Sequence, residues 1–231
     1  MNTNPTLDTF PLHLGALLLA AGSGSRMGHR PKCLLERNGE PLIARLLRAV
    51  RAAGVARPVV VLGHHAPRIA TALHGLNTAT IINPTPDAGL VSSLRMGLLA
   101  LPDELEAVMV LLSDQPLITH QDLLDLMIAY QSRPADTEWV QPNVKGLPGN
   151  PVIFSKRVRA QLLEGPPEKG GKHWQAQNPR AVHAWHSDNV HYRTDVDSPE
   201  DIEQLGLHTG IWLRWPNDLS QPMACNPIGP S

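Results

Sequence analysis

"GALLLAAGSGSRMGHRPKCLL", residues 15–35, is the stretch that decides the fold. Leu14–Ala20 is apolar without alternation and is closed by Gly22, the pattern of a strand buried on both faces. The run then breaks into a loop holding Gly22, Gly24 and Gly28, with Arg26 and Lys32. Glycines let backbone N–H groups approach an anion closely, and the two cations neutralise it. Arg26 can fork onto phosphate oxygens, and Lys32 supplies a point charge. The loop fits neither GxGxxG nor GxxxxGK[ST], so both familiar phosphate loops are excluded in strict form. Taken alone it also reads as a surface turn with two solvated cations.

Outward from this loop the chain alternates. Apolar residues at helical spacing run from Pro41 to Ala53, with Gly54 as a stop. "PVVVLG" (58–63), "TATIINP" (78–84) and "AVMVLLSD" (107–114) read as further strands. Pro67–Leu73, Ser92–Leu101 and Gln121–Tyr130 read as helices, the last with Thr119 as N-cap and Asp122 in its first turn. Four wholly apolar strands alternating with helices predict a mostly parallel sheet covered on both faces. Ligands of such sheets bind outside the carboxyl ends of the strands. The glycine loop and Asp114 both fall there, although roughly ninety residues separate them in sequence.

After Tyr130 the rhythm changes. "QPNVKGLPGNPVIF" is a proline- and glycine-rich connection into a short strand, and Lys156–Leu163 reads as a helix. "EGPPEKGGKHWQAQNP" reads as loop, and Val182–Trp185 and Val190–Tyr192 as short strands. Ser198 is an N-cap with Pro199 at the first helical position and Gly206 as the stop. The organisation expected is an N-terminal tail (1–13), one α/β domain (14–206) and an irregular C-terminal tail (207–231).

Composition narrows the class. The chain has 231 residues, 42% hydrophobic, enough for one good core. A formal net charge of -1 and the lack of a polybasic segment argue against a nucleic-acid or membrane-surface partner, so attraction for an anion must be local. Cys33 and Cys225 make neither a disulfide framework nor a zinc pattern. The opening residues lack a signal-peptide pattern, and Ala16–Ala21 is too short to span a bilayer, so a cytoplasmic location is expected.

Three further motifs carry chemistry. In "LLSDQP" (111–116), an aspartate at a strand end can hold Mg²⁺ against a bound phosphate, or simply cap the turn before Pro116. In "TDVDSPED" (194–201), Asp195 and Asp197 share a face of an extended segment and offer a second ligand, while Glu200 and Asp201 read as a helix start. In "GLPGNPVIF" (146–154), Gly149 and the prolines bring backbone near a ligand or shape a turn.

In this order, "LLLAAGSGSRMGHRPKCLL", "NPTPDAGLVSSLRMGL", "LLSDQP", "GLPGNPVIF" and "DVDSPED" resemble the signatures of the molybdenum cofactor nucleotidyltransferases, over residues 14–206. The LAAG opening and the DQP and GxPGxPVxF motifs resemble the cytidylyltransferase branch. The resemblance implies a three-layer α/β, Rossmann-like nucleotidyltransferase fold that binds an NTP, with CTP favoured, and Mg²⁺. It implies transfer of NMP to a phosphorylated pterin acceptor with release of pyrophosphate, and a molybdoenzyme or its chaperone as a partner. By matching position, Leu19, Ala20, Ala21 and Gly22 would lie against the nucleotide. Gly24, Ser25 and Arg26 would hold the phosphates, and Lys32 would sit near the α-phosphate. Ser92 and Ser93 would line the nucleotide site. Asp114, with Asp195 or Asp197, would take the metal, and Gly149, Asn150 and Pro151 would form the acceptor-side loop. Two departures fall on that side: many relatives carry histidine where Asn150 stands, and "GGKHWQAQNP" replaces a GDxGAR-like stretch. A sugar or polyol phosphate acceptor, and a non-catalytic module delivering a finished cofactor, are the alternatives. A dinucleotide oxidoreductase would need GxGxxG and an acid after strand two, where Gly63-His64-His65 stands.

Overall fold

The computed structural model describes residues 13–220. Residues 1–12 and 221–231, with Cys225, lie outside the described residues, and so do the signal-peptide reading and the ends of both expected tails. The chain runs β1 (Leu14–Ala20), β2 (Glu36–Arg37), β3 (Glu40–Pro41), α1 (Leu42–Ala52), β4 (Val59–Leu62), α2 (Ala66–Ala72), β5 (Ala79–Ile82), α3 (Leu90–Ala100) and β6 (Ala107–Leu112). It continues through α4 (His120–Gln131), β7 (Trp139–Val144), β8 (Leu147–Pro148), β9 (Val152–Ser155), α5 (Lys156–Glu164), α6 (Gly171–Gln177), β10 (Val182–His186), α7 (Pro199–Thr209) and β11 (Leu213–Arg214).

The main sheet has the order β10-β7-β9-β6-β1-β4-β5, with β8 paired to β7. Strands β6, β1, β4 and β5 are mutually parallel, and β9 runs antiparallel to β6 and β7. This is the expected α/β fold with a mostly parallel sheet. Although β1 and β6 show no polar alternation, their side chains still alternate between two cores. Ala16, Leu18, Ala20, Met109 and Leu111 join α1 and α4 on one face. Leu17, Leu19, Val108 and Val110 join α3 and α5 on the other. Both faces are covered, which is why these strands are apolar throughout.

After β1 the chain steps to β4 and β5 on one side, then returns to lay β6 on the other. The strand order therefore reverses at the β1–β6 boundary. Leu19 is in register with Leu112. The loops that follow these two strands leave the same rim side by side, at the switch point where such sheets bind ligands.

Helices α3 and α5 cap each other with arginines, Arg159 buried and Arg95 half-buried. Arg159 of α5 donates to Leu98 O at 2.8 Å, Leu101 O at 2.5 Å and Pro102 O at 2.6 Å, the free carbonyls ending α3. Arg95 of α3 donates to Leu163 O at 2.7 Å and Gly165 O at 3.1 Å, ending α5. Helix C-terminal carbonyls lack intrahelical donors, and cations complement that end of the dipole. Arg159→Ala leaves several buried carbonyls unsatisfied, and we expect it to cost about 3 kcal/mol. In a chain of this size that lowers Tm by roughly 6–12 °C. Calorimetry showing a fall below about 2 °C would remove the capping account.

Four local expectations are corrected. Gly206 does not end α7: the helix runs to Thr209 and stops at Gly210, where φ is 73°. Gly206 is instead a packing glycine, since a Cβ there would lie 2.4 Å from the Trp212 ring. The segment after 207 is not irregular as far as Ser220. Strand β11 pairs antiparallel with β2, Leu213 enters a small core, and Leu219 is buried under the main one. Single anchors of this kind leave no periodicity in a sequence. Val190–Arg193 is a 3₁₀ turn rather than a strand, capped by the Asn189 side chain on His191 N at 3.0 Å. Finally, "GGKHWQAQNP" contains helix α6, pinned by buried Trp174 against Trp139.

Candidate active site

The loop after β1 is built by its glycines. Gly24 adopts φ 65° and packs so tightly that a Cβ would lie 2.0 Å from Arg30 O. Its carbonyl accepts Met27 N at 2.8 Å and His29 N at 3.0 Å, closing a turn. Gly28 repeats the positive φ at 63°. Met27, fully buried, pegs the loop into a small core with Leu35, Leu117, Val196 and Leu213. From behind, Arg30 lies over the Trp215 ring at 4.2 Å and donates to Leu219 O at 3.2 Å. The C-terminal segment, assigned no role from sequence, is thus a brace for this loop.

On this brace the two cations meet the carboxylates. Lys32 Nζ donates to Asp114 Oδ2 at 2.7 Å and also to Asp197 Oδ1. Arg26 Nη2 lies 2.6 Å from Asp197 Oδ2. Arg26, Lys32, Asp114 and Asp197 are therefore one cluster on one rim. The segment carrying Asp195 and Asp197 is tied to the end of β6 by Val196 N, which donates to Asp114 O at 3.0 Å. From the other side the Asp201 carboxylate accepts Asp197 N at 2.8 Å and Ser198 N at 2.7 Å.

The electrostatics separate Asp195 from Asp197. Burial disfavours charge on Lys32, but Asp114 and then Asp197 outweigh it and raise its pKa. Burial works against ionising Asp197 too, but the bonds from Lys32 and Arg26 hold its carboxyl below the ordinary range. Asp195 is pushed the other way, first by burial, then by Asp114 and Asp197. In linkage terms, the Lys32 contribution is present below its unfolded pKa of 10.5 and is lost as pH rises through the higher folded value. That of Asp197 is present above 3.8 and is lost as pH falls through its lower folded value. Between those limits both pairings hold.

The residues also bear on a cation. Asp114 Oδ1 is buried and, among the described residues, has no hydrogen-bond partner, and the Asp195 carboxyl is pushed up by its burial and by the nearby Asp114 and Asp197. Both features fit a divalent ion at that spot. Among the described residues, no three His, Cys, Asp or Glu side chains form a metal cage. An ion here would share its coordination with a ligand, as Mg²⁺ does with phosphates. Cys33, next to Lys32, is buried, and burial pushes its thiol up to about 12, so it stays protonated and is no nucleophile.

The remaining candidates flank this cluster. Leu19, Ala20 and Ala21 are buried along the strand end, and Gly22 and Ser25 reach the surface. Gly63 lets the loop meet the next wall: a Cβ there would lie 2.6 Å from Ala21 O and 2.9 Å from Pro86. Behind Pro86, buried Asn83 donates to Ser93 Oγ at 3.0 Å and accepts Ser92 Oγ at 3.3 Å, fixing both serines. On the far side, Gly149 packs against Tyr192, where a Cβ would lie 2.6 Å from Tyr192 O. Asn150 N donates to the same carbonyl at 2.8 Å, and Gln115 Nε2 donates to Asn150 O at 3.0 Å. Asn83, Gln115 and Tyr192 were not among the sequence candidates. Gln115, as the middle residue of DQP, and Asn83, as the first residue of NPTPDAGL, lay within quoted motifs, while Tyr192 carried no signal. A groove of about 640 Å³ lies elsewhere, between the β2–β3 hairpin and residues 210–217. None of the loop residues 22–32, nor Asp114, Asp195 or Asp197, lines it, so the charged cluster and not this groove is the candidate site.

Known proteins share this fold and part of this sequence. The bifunctional protein GlmU of Heliobacterium modesticaldum is 39% identical over 105 residues, covering 45% of this chain and 22% of that protein. The chain spans about a quarter of the length of the curated relatives it matches. Rv0371c from Mycobacterium tuberculosis has a similar structure, with TM-score 0.70 and 24% identity over 85% of this chain and 98% of that one. A nucleotidyl transferase from Methanothermobacter thermautotroptrophicus gives TM-score 0.69 and 22% identity over 85% and 97%. The MobA-like NTP transferase domain model matches residues 16–182, from the first strand through the loop at Gly149–Pro151 to the start of β10, and the chain belongs to that family.

Proposed function

We propose that this chain is a nucleotidyltransferase that joins NMP, from CTP by preference, to the terminal phosphate of a pterin acceptor of the molybdopterin type. The observation that carries this reading is the meeting of Arg26, Lys32, Asp114 and Asp197 at the switch point of the sheet. A phosphate oxygen of the acceptor attacks the α-phosphorus, the bond from that phosphorus to the bridging oxygen breaks, and pyrophosphate leaves with the electron pair. The nucleophile is already anionic near neutral pH, so the site needs no strong general base. It works by positioning and charge stabilisation.

The roles we assign are those the resemblance implies, supported by the clustering of the charged residues. The backbone of the loop at 22–26, Arg26 and Lys32 hold the triphosphate and take charge on the departing pyrophosphate. Leu19, Ala20, Ala21, Ser92 and Ser93 hold the nucleoside. Gly149, Asn150 and Pro151, fixed by Gln115 and Tyr192, face the acceptor. Asp114 and Asp195 are the residues to hold Mg²⁺, because Asp197 is already engaged by both cations. That ion would neutralise phosphate oxygens during the displacement.

CTP is favoured by the LAAG opening. CMP:2-keto-3-deoxy-manno-octonic acid synthetase complexed with CTP is among the similar structures, and Rv0371C is known in complex with manganese. A second reading keeps the reaction and changes the acceptor to a sugar or polyol phosphate. The similarity to a 4-diphosphocytidyl-2C-methyl-D-erythritol synthase favours it. A matrix of four NTPs against pterin, sugar and polyol phosphates, read as pyrophosphate release with Mg²⁺, separates the two. The first reading expects CTP with the pterin to be fastest. Pyrophosphate release from none of the pairs would end both.

A further inference from the structure

A second polar cluster lies beside the acceptor side, around Asp122. Its carboxylate is buried at the first turn of α4 and every bond it makes is short. Oδ2 accepts Thr119 N at 2.7 Å, Thr119 Oγ1 at 2.9 Å and His191 Nδ1 at 2.9 Å. Oδ1 accepts Asn189 Nδ2 at 2.6 Å, and Asp122 O accepts the Tyr192 hydroxyl at 2.7 Å. A helix cap needs only the Thr119 bonds. The other three reach across sixty-odd residues to one segment, 189–192.

That segment leads directly into the site. The Tyr192 carbonyl accepts Asn150 N and Gln115 Nε2, at 2.8 and 3.4 Å. Three residues further on is Asp195, and Val196 N is fastened to the Asp114 carbonyl. Between them Thr194 Oγ1 bonds back to Val190 O at 2.9 Å and the exposed Arg193 reaches Pro148 O at 2.9 Å, so the buried fastenings of the backbone that presents Asp195 are the Asp122 clasp upstream and the Asp114 carbonyl downstream. The His191 ring is about one-third exposed, so its contribution is the bond to Asp122 rather than core packing. A carboxylate partner puts the proton on Nδ1.

We propose that His191 is a positioning residue, which through Asp122 holds the segment presenting Asp195 and the Tyr192 carbonyl that grips the acceptor-side loop. The inference rests on the nucleotidyl-transfer reading. Outer partners that orient ligand-bearing groups cost about 10–100-fold in metal affinity when removed. The test is Mn²⁺ affinity in the presence of CTP, followed by electron paramagnetic resonance, for the wild type, His191→Ala and His191→Asn, with Tm measured alongside. Asparagine places an N–H donor where Nδ1 stands.

The expected result is Mn²⁺ affinity about tenfold weaker in His191→Ala, restored to within about threefold in His191→Asn, with Tm lowered by less than about 4 °C in both. Unchanged affinity in His191→Ala overturns the proposal. So does a folded His191→Asn as weak as the alanine variant, which would mean the imidazole acts on the ligands itself. A Tm fall above about 10 °C in both variants would make His191 a stability residue and also overturn it. If the wild type binds no Mn²⁺ with CTP present, the nucleotidyl-transfer reading falls, and this one with it.

Discussion

Asp114→Ala is expected to reduce pyrophosphate release at least about a hundredfold, the scale of losing one preorganised charge-stabilising contact. The reason is visible in its two oxygens. Oδ2 holds Lys32, and Oδ1 is buried with no partner among the described residues. A buried carboxylate oxygen left this way is costly unless something pairs it during function. The alanine variant should fold, because the contact that ties the Asp195 segment to β6 uses the Asp114 carbonyl, not its side chain. Asp114→Asn separates charge from shape. It keeps a donor–acceptor group of the same size but loses the negative charge, and it should be nearly as slow. An asparagine variant at wild-type rate would mean that no cation is held there.

Lys32→Ala should lose a comparable factor in turnover, about a hundredfold, for a different reason. In this structure the ammonium is bonded to Asp114 and Asp197, and its pKa is raised by them. Under the proposed reaction, the same ammonium would be the point charge that neutralises an entering triphosphate. Lys32 would then move its partnership between carboxylate and phosphate, and each partner would limit the other. Two measurements should then diverge in Lys32→Ala. Pyrophosphate release falls, while Mn²⁺ affinity without nucleotide rises, because the Asp114 carboxylate, proposed to hold the ion with Asp195, no longer carries the ammonium. Lower Mn²⁺ affinity in that variant would show that Lys32 supports the carboxylates rather than competing for them. Wild-type turnover in both Lys32→Ala and Asp114→Ala would remove these residues from the mechanism.

Much of the site was legible in the sequence, and the reasons are local. Gly24 and Gly28 stand where the loop needs positive φ, and only glycine takes that conformation without strain. Asp114 follows an apolar strand at the position that such folds expose on their rim. Ser198, Pro199 and Asp201 form the expected helix start. What was missed lies in contacts between distant segments. Asp122 looks in sequence like an ordinary first-turn acid, and only folding brings His191 and Asn189 to it. Arg30 looks like one more loop cation until Trp215 and Leu219 are placed behind it. Gly206 carries the signature of a stop, and only the approach of the Trp212 ring gives it another purpose.

The sequence by itself determined the four parallel strands β1, β4, β5 and β6, the alternation with helices that makes that part of the sheet parallel, and the glycine loop, because burial pattern and backbone conformation are properties of neighbouring residues. Which charges share a site was decided only by the tertiary structure. The reversal of strand order at β1 and the register of Leu19 with Leu112 put the loop and Asp114 side by side. Electrostatic attraction falls off within a few ångströms in and near water, so that placement, and not the presence of the charges, makes Arg26, Lys32, Asp114 and Asp197 one site.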